Sequence, residues 1–214
     1  MIDKIFNGPY LRRLDNIIQW QEKDVFARES VSQHSFKVAV FTSVILEDIF
    51  PTKNSHSILD EVHSKHIADF KLKCIQSALF HDLDEALLLR DISHETKYNK
   101  FNGEQIRGAL NALSEHIANE DFFDEKNYAG GSMIYHAMRC KNPVVKSVIK
   151  VADWMALIFF VRREQDLGNK TLDSLRPYLI ESFKRAVNEM KEQIAKEFGE
   201  FDYELAPFNE LCNL

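Results

Sequence analysis

The chain has 214 residues, 45% hydrophobic and 28% charged, the balance of a soluble globular protein that can bury a core without disulfides or structural metal. Its formal net charge of −6 offers no basic footprint for duplex nucleic acid, and its three cysteines, Cys74, Cys140 and Cys212, are far apart and show no CxxC spacing, which suggests neither a disulfide framework nor a zinc knuckle. No apolar run approaches the roughly 20 residues of a bilayer span and no charged-then-apolar leader opens the chain, so a soluble protein of the reducing cytoplasm is expected, with no membrane partner.

Seven glycines, five prolines and little strand-like alternation predict an all-α chain. A first helix is expected over about Tyr10 to Trp20, then a polar loop through Gln21 to Val31. A second starts near Ser32 as N-cap and carries Phe36, Val38, Ala39, Val40, Phe41, Val44 and Ile45 on a wide apolar arc. The segment PTKNSHS at 51–57 reads as a loop, and a third helix as running from around His63 to His81 with Cys74, Ile75, Ala78 and Leu79 inward. Helices follow over Gly103 to Asn119 and Ser132 to Met138, the latter set off by Gly130-Gly131. Pro143 sits at the first turn of a helix that is apolar around most of its girth. Leu172, Leu175, Leu179, Phe183, Val187, Met190, Ile194 and Phe198 recur at spacings of three and four, the mark of a long amphipathic helix at about 171–198. The tail at 199–214 carries Phe201, Tyr203, Leu205 and Phe208 and is expected to fold back over apolar surface. The whole is expected to be one helical-bundle domain, 1–214, with its site-bearing core at about 30–165.

Against this apolar pattern, LFHDLDEALLLRDISHETKY at 79–98 ends a core helix in His81-Asp82 and adds Asp84, Glu85 and Asp91. An unpaired buried ion costs several kcal/mol or changes protonation state, so something at this helix end must want the charge. His34, early in the second helix, and Asp153, in the middle of the apolar one, are anomalies of the same kind. Two imidazoles and two carboxylates suit one divalent transition ion, manganese, cobalt, iron, nickel or zinc. Such an ion polarises a phosphoryl oxygen, which puts phosphoester hydrolysis first among reactions. Glu85, four residues after His81, is placed to handle a proton, and Lys97 and Lys150 are candidates for countering phosphate or the acids. Singly, each residue has an ordinary reading: a capping or core histidine, an acid paired with Lys150 or Arg162, solvated surface carboxylates. His56, His63, His66 and His136 read as loop or surface residues and Trp154 as core.

The order His, His-Asp, Asp on a helical scaffold resembles the HD superfamily of metal-dependent phosphohydrolases, and within it the bacterial HD-domain 5'-deoxynucleotidases. The stretches that carry the likeness are RLDNIIQW at 13–20, VSQHSFKVAV at 31–40, the 79–98 segment and KVADWMAL at 150–157. The resemblance implies metal ligation by His34, His81, Asp82 and Asp153, a catalytic role for Glu85, a second catalytic acid in Asp91, and recognition of the deoxyribose by Trp20. Lys97-Tyr98 falls in register with Asp91. The resemblance also implies hydrolysis of deoxynucleoside 5'-monophosphates and a homodimer. The chain departs from the family where Gln19 replaces a phosphate-gripping arginine, where Gln33 replaces a glutamate, and where Arg90 replaces a glycine in a loop one residue longer. Arg28, Arg12, Arg13 or Arg90 is then expected to supply the charge for phosphate. Hydrolysis of another phosphate (a nucleoside triphosphate, a signalling nucleotide, a sugar phosphate) and a regulatory module that binds metal and nucleotide without turnover remain open.

Overall fold

In the computed structural model, described for residues 9–51, 58–88, 90–92, 94–97, 100–119 and 133–199, the regular structure is helical, as composition predicts. Extended pairing among the described residues is limited to an isolated antiparallel bridge between Ile18 and Ser30. The chain divides into two compact units, one drawn from 1–36 and 79–140, the other from 37–78 and 141–214.

The first unit opens with α1, Pro9–Asn16. This helix stops short of the expected Trp20 because the next residues are claimed by the bridge: Gln19 N–H donates to Glu29 O at 2.8 Å and Val31 N–H to Ile17 O at 2.9 Å. The bridge delivers the chain into α2, Val31–Ile49. Its cap is Ser30, not the expected Ser32: Ser30 N–H donates to Gln33 Oε1 at 3.0 Å and Gln33 N–H to Ser30 Oγ at 3.3 Å, a reciprocal capping box. Gln33, where the resemblance leads one to expect glutamate, thus has a structural task that an amide performs. Farther along come α4, Glu85–Leu88, α5, His94–Lys97, α6, Gly103–Ile117, and α7, Met133–Met138, with α3, Ile58–Leu79, preceding them from the other unit. Leu14, Ile17, Val31, Leu83, Ala86, Ile117 and Ile134 form the core here, each larger side chain contributing roughly 1.5–3 kcal/mol by burial. Arg13 Nη1 donates to Ala86 O at 3.4 Å, tying α1 to α4.

In the second unit α3 begins at Ile58 rather than His63 and stops at Leu79, before His81; Leu79, expected inward, is exposed. Pro143 opens α8, Pro143–Asp166, behind an Asn142 cap whose Oδ1 accepts the N–H groups of Val144 and Val145 at 2.8 and 3.1 Å. Gly168, at φ +87, lets the chain turn so that Asn169 N–H reaches Glu164 O at 2.9 Å and Asn169 Nδ2 reaches the buried Glu164 carboxylate at 2.6 Å. A short 3-10 turn, Asp173–Leu175, leads into α9, Arg176–Phe198, which packs along α8 through Leu179, Phe183, Met190 and Ile194, the expected stripe. The Phe198 ring lies 5.0 Å from both Phe50 and Phe70. The α2 arc is narrower than expected: Val38, Ala39, Ile45 and Leu46 are buried, whereas Phe36, Val40 and Val44, at spacings of four, are exposed. The expectations for Gly130-Gly131, Tyr98 and the tail beyond Gly199 lie outside the described residues.

Candidate functional site

The site of the first unit is made where α3 gives way to a run of tight turns. Leu83 N–H donates to Phe80 O, Glu85 N–H to Asp82 O and Ala86 N–H to Leu83 O, at 3.1–3.3 Å. Five successive residues, Phe80 to Asp84, are thereby turned before helix resumes at Glu85, which brings His81, Asp82, Asp84 and Glu85 into one neighbourhood. His34 enters it from the first turn of α2. Its ring is 2% exposed and stands 5.5 Å from that of His81, centroid to centroid, with ring nitrogens within 4.8 Å of each other. Asp82 Oδ2 is 3.0 Å from His81 Nε2. Two imidazole nitrogens this close beside a buried carboxylate make a donor set that a divalent transition ion accepts. Asp153 belongs to the second unit, half-buried on α8 between Ala152 and Trp154, both buried.

Lys97, from α5, organises the acids. Its Nζ lies 3.0 Å from Glu85 Oε1 and 3.3 Å from Asp82 Oδ1, and its carbonyl accepts Arg107 Nη1 at 2.7 Å. Burial alone would raise the Asp82 carboxyl, but the charges of His81 and Lys97 outweigh it and hold the group well below the usual carboxylate range. Glu85 goes the other way: burial, and then the Asp82 charge, lift it well above its ordinary value despite Lys97. Asp84 is pushed up to about 6 by burial and by Asp82. Lys97 loses something to burial and gains more from Asp82, Glu85 and Asp84, so its ammonium is held well above the usual value. Adjacent carboxyls driven apart in this manner are the pattern of a site that both holds charge and stores a proton.

Glu85 is fully buried; Oε1 also accepts Ile92 N–H at 3.2 Å, and Oε2 has no hydrogen-bond partner among the described residues. Asp91 Oδ2 accepts the backbone N–H of Trp20 at 2.8 Å, and burial raises this carboxyl also. Trp20, Gln21, Glu22, Lys23, Arg90 and Asp91 line a small cleft at this edge.

Among the other expected substrate residues, Arg90 shares this cleft. Gln19 is buried beneath the bridge, Arg28 is exposed, and Arg90 is exposed and ion-paired with Glu22 at 2.9 Å. Lys150 pairs with Glu189, at 3.0 Å, and Arg162 with Asp166, at 3.1 Å. Two acids gained no role from sequence reasoning. Glu29 is 2% exposed with Oε1 4.0 Å from His34 Nδ1, and Asp84 is 7% exposed beside Asp82. Asp84 was visible as one more acid in an apolar run; Glu29, in a polar loop, gave no such signal.

A family model for 5'-deoxynucleotidase YfbR-like proteins matches residues 8–201. Among solved structures, the PH0347 protein from Pyrococcus horikoshii OT3 is similar over 100% of this chain and 99% of its own, at 21% identity and a TM-score of 0.61. An HD-domain phosphohydrolase from Listeria innocua is similar over 99% of this chain and 98% of its own, at 17% identity and a TM-score of 0.61. No curated protein matches the chain. The two structural likenesses speak for the fold, which is the all-helical HD-domain fold. The family match reaches from before Trp20 to beyond Asp153 and so takes in every candidate site residue: the chain belongs to the YfbR-like 5'-deoxynucleotidase family.

Proposed function

We propose that this metal-dependent phosphohydrolase removes the 5'-phosphate of nucleoside monophosphates, with a preference for the deoxy sugar. Family membership supports the phosphohydrolase, the divalent ion and a small phosphorylated substrate; the finer statement rests on the residues. The observation that carries it is Glu85, fully buried three residues after Asp82, with Lys97 on one carboxylate oxygen and the other oxygen without a hydrogen bond among the described residues. A carboxyl so placed is suited to giving the leaving oxygen a proton or to orienting the attacking water.

In this reading His34, His81, Asp82 and Asp153 hold one ion of manganese, cobalt, iron, nickel or zinc. When bound, the ion supplies Lewis-acid polarisation of the phosphoryl group and activation of water. Lys97 keeps Asp82 ionised and fixes the Glu85 carboxyl through their shared contacts. Trp20 lines the sugar side, and Arg28 and Arg90 are the cations available to the phosphate. A homodimer in the cytoplasm belongs to the same reading; no described helix is long and apolar enough to cross a membrane. Gln19 favours a second reading, hydrolysis of another phosphate, because a buried neutral amide stands where the family grips phosphate with arginine.

Release of phosphate and polyphosphate from deoxy- and ribonucleoside mono- and triphosphates, with manganese or cobalt, tests both. Orthophosphate from monophosphates, lowered about 10²–10⁴-fold in Glu85→Gln, is the expected result. Turnover of triphosphates alone would replace the proposal with the second reading.

A further inference from the structure

Glu29 is 2% exposed although it stands in a polar stretch, RESVSQH at 28–34, with no apolar run to draw it inward. A carboxylate taken out of water costs several kcal/mol unless a cation or a polar hydrogen answers it. Its backbone has little choice of place. Glu29 O accepts Gln19 N–H at 2.8 Å across the bridge, and the next residue, Ser30, caps α2 together with Gln33. The side chain held there meets His34, in the first turn of α2: Glu29 Oε1 is 4.0 Å from His34 Nδ1, and the ring is as deeply buried as the acid. Gln33, adjacent to His34, is neutral and engaged in the cap, so Glu29 is the acid of this segment.

The separation of 4.0 Å is longer than a hydrogen bond, so Glu29 acts on the ring through its charge. A neutral imidazole carries a proton on one nitrogen and a lone pair on the other. With the proton on Nδ1, an N–H dipole faces the carboxylate; with the proton on Nε2, a lone pair faces it. Both groups are buried, so the difference is weakly screened and favours the Nδ1–H form. Nε2 is then left as the donor atom, and the carboxylate behind the ring raises its basicity. Asp82 and Asp91 also act on His34, but Asp82 is itself a candidate ligand beside His81, and Asp91 takes the Trp20 N–H at 2.8 Å. Glu29 is the acid that the fold sets against Nδ1.

We propose that Glu29 is a positioning residue for the metal centre: its buried carboxylate fixes His34 as the Nδ1–H tautomer and so presents Nε2, unprotonated, to a divalent ion. This rests on the reading of His34 as a metal ligand and adds an acid beyond the four candidate ligands. Because Glu29 acts through His34, its loss weakens the hold on the ion and leaves the loaded site able to turn over.

Glu29→Gln removes the charge at nearly constant shape. Long-range 1H–15N NMR of the imidazoles at pH 8 reads the His34 tautomer in metal-free protein, and competition with a chelator reads the affinity for zinc or cobalt. The wild type is expected to show the Nδ1–H form and Glu29→Gln to lose that preference, with ion affinity weakened about 10–100-fold and kcat at saturating ion within about threefold. Ser30→Ala, which loosens the start of α2 and keeps Glu29, is expected to bind the ion within about threefold of wild type. An Nε2–H tautomer in the wild type, which needs no variant to be seen, would overturn the proposal. So would unchanged affinity in Glu29→Gln, or an equal loss in Ser30→Ala, which would assign the effect to helix packing. A kcat loss at saturating ion as large as the affinity loss would place Glu29 in the chemistry itself. A wild type that binds neither ion fails the metal reading, a result distinct from a wild type that binds and a variant that binds as well.

Discussion

Asp84 carries a cost that depends on pH, and replacing it by asparagine isolates that cost. The carboxyl is 7% exposed, and burial followed by the neighbouring Asp82 charge moves it from 3.8 to about 6, with Lys97 only partly opposing. The folded state therefore binds its proton more tightly than the unfolded chain does, and stability falls as pH rises between these two values. Below about pH 4 the group is neutral in both states and costs nothing on this account; above about pH 6 the penalty is complete, about 3 kcal/mol at roughly 1.4 kcal/mol per unit. Asp84→Asn keeps the shape and removes the charge. In chelator-treated protein at pH 8 the variant is expected to be more stable than wild type by about 2–3 kcal/mol, with the gain shrinking towards zero as the pH approaches 4. Urea unfolding of both proteins across this range measures the difference directly. A difference that is the same at every pH, or an asparagine variant less stable than wild type at pH 8, would refute the account of Asp84 as a carboxylate raised by burial.

The capping box at the start of α2 is expected to matter for stability ahead of chemistry: Ser30→Ala should cost about 1 kcal/mol in urea unfolding, and an equal loss in Gln33→Ala would confirm that the two act reciprocally. Lys97→Met leaves Asp82 and the fully buried Glu85 without their shared cation, and at pH 7 should lower stability by about 2–3 kcal/mol, less than for a wholly buried pair because Lys97 is 23% exposed. Because the Lys97 pKa is raised on folding, that contribution is complete below about 10.5 and fades only as pH rises beyond it, so a variant whose deficit disappears at pH 7 would contradict the pairing.

What could be read from the sequence was what short-range pattern determines. The α9 stripe from Leu179 to Phe198 and the Pro143 opening of α8 are decided by spacings of three and four and by groups within three residues, and they stand where expected, although α9 opens at Arg176 and not at 171, after a 3-10 turn over Asp173–Leu175. The histidine-aspartate anomaly was legible for a related reason: a charged pair inside an apolar run is visible without knowing its partners. The failures share the opposite cause. Helix α1 stops at Asn16, not Trp20, because Ser30 claims the backbone that follows, and Ser30 displaces Ser32 as cap because the same bridge fixes where α2 begins. Phe36, Val40 and Val44 form an apolar row as good as the buried one, and only packing decides which side of α2 faces water. The Asp91 contact with Trp20 spans 71 residues and uses a backbone donor, which leaves no trace in either residue's identity. A matched motif therefore locates such a residue without saying through which atom it acts.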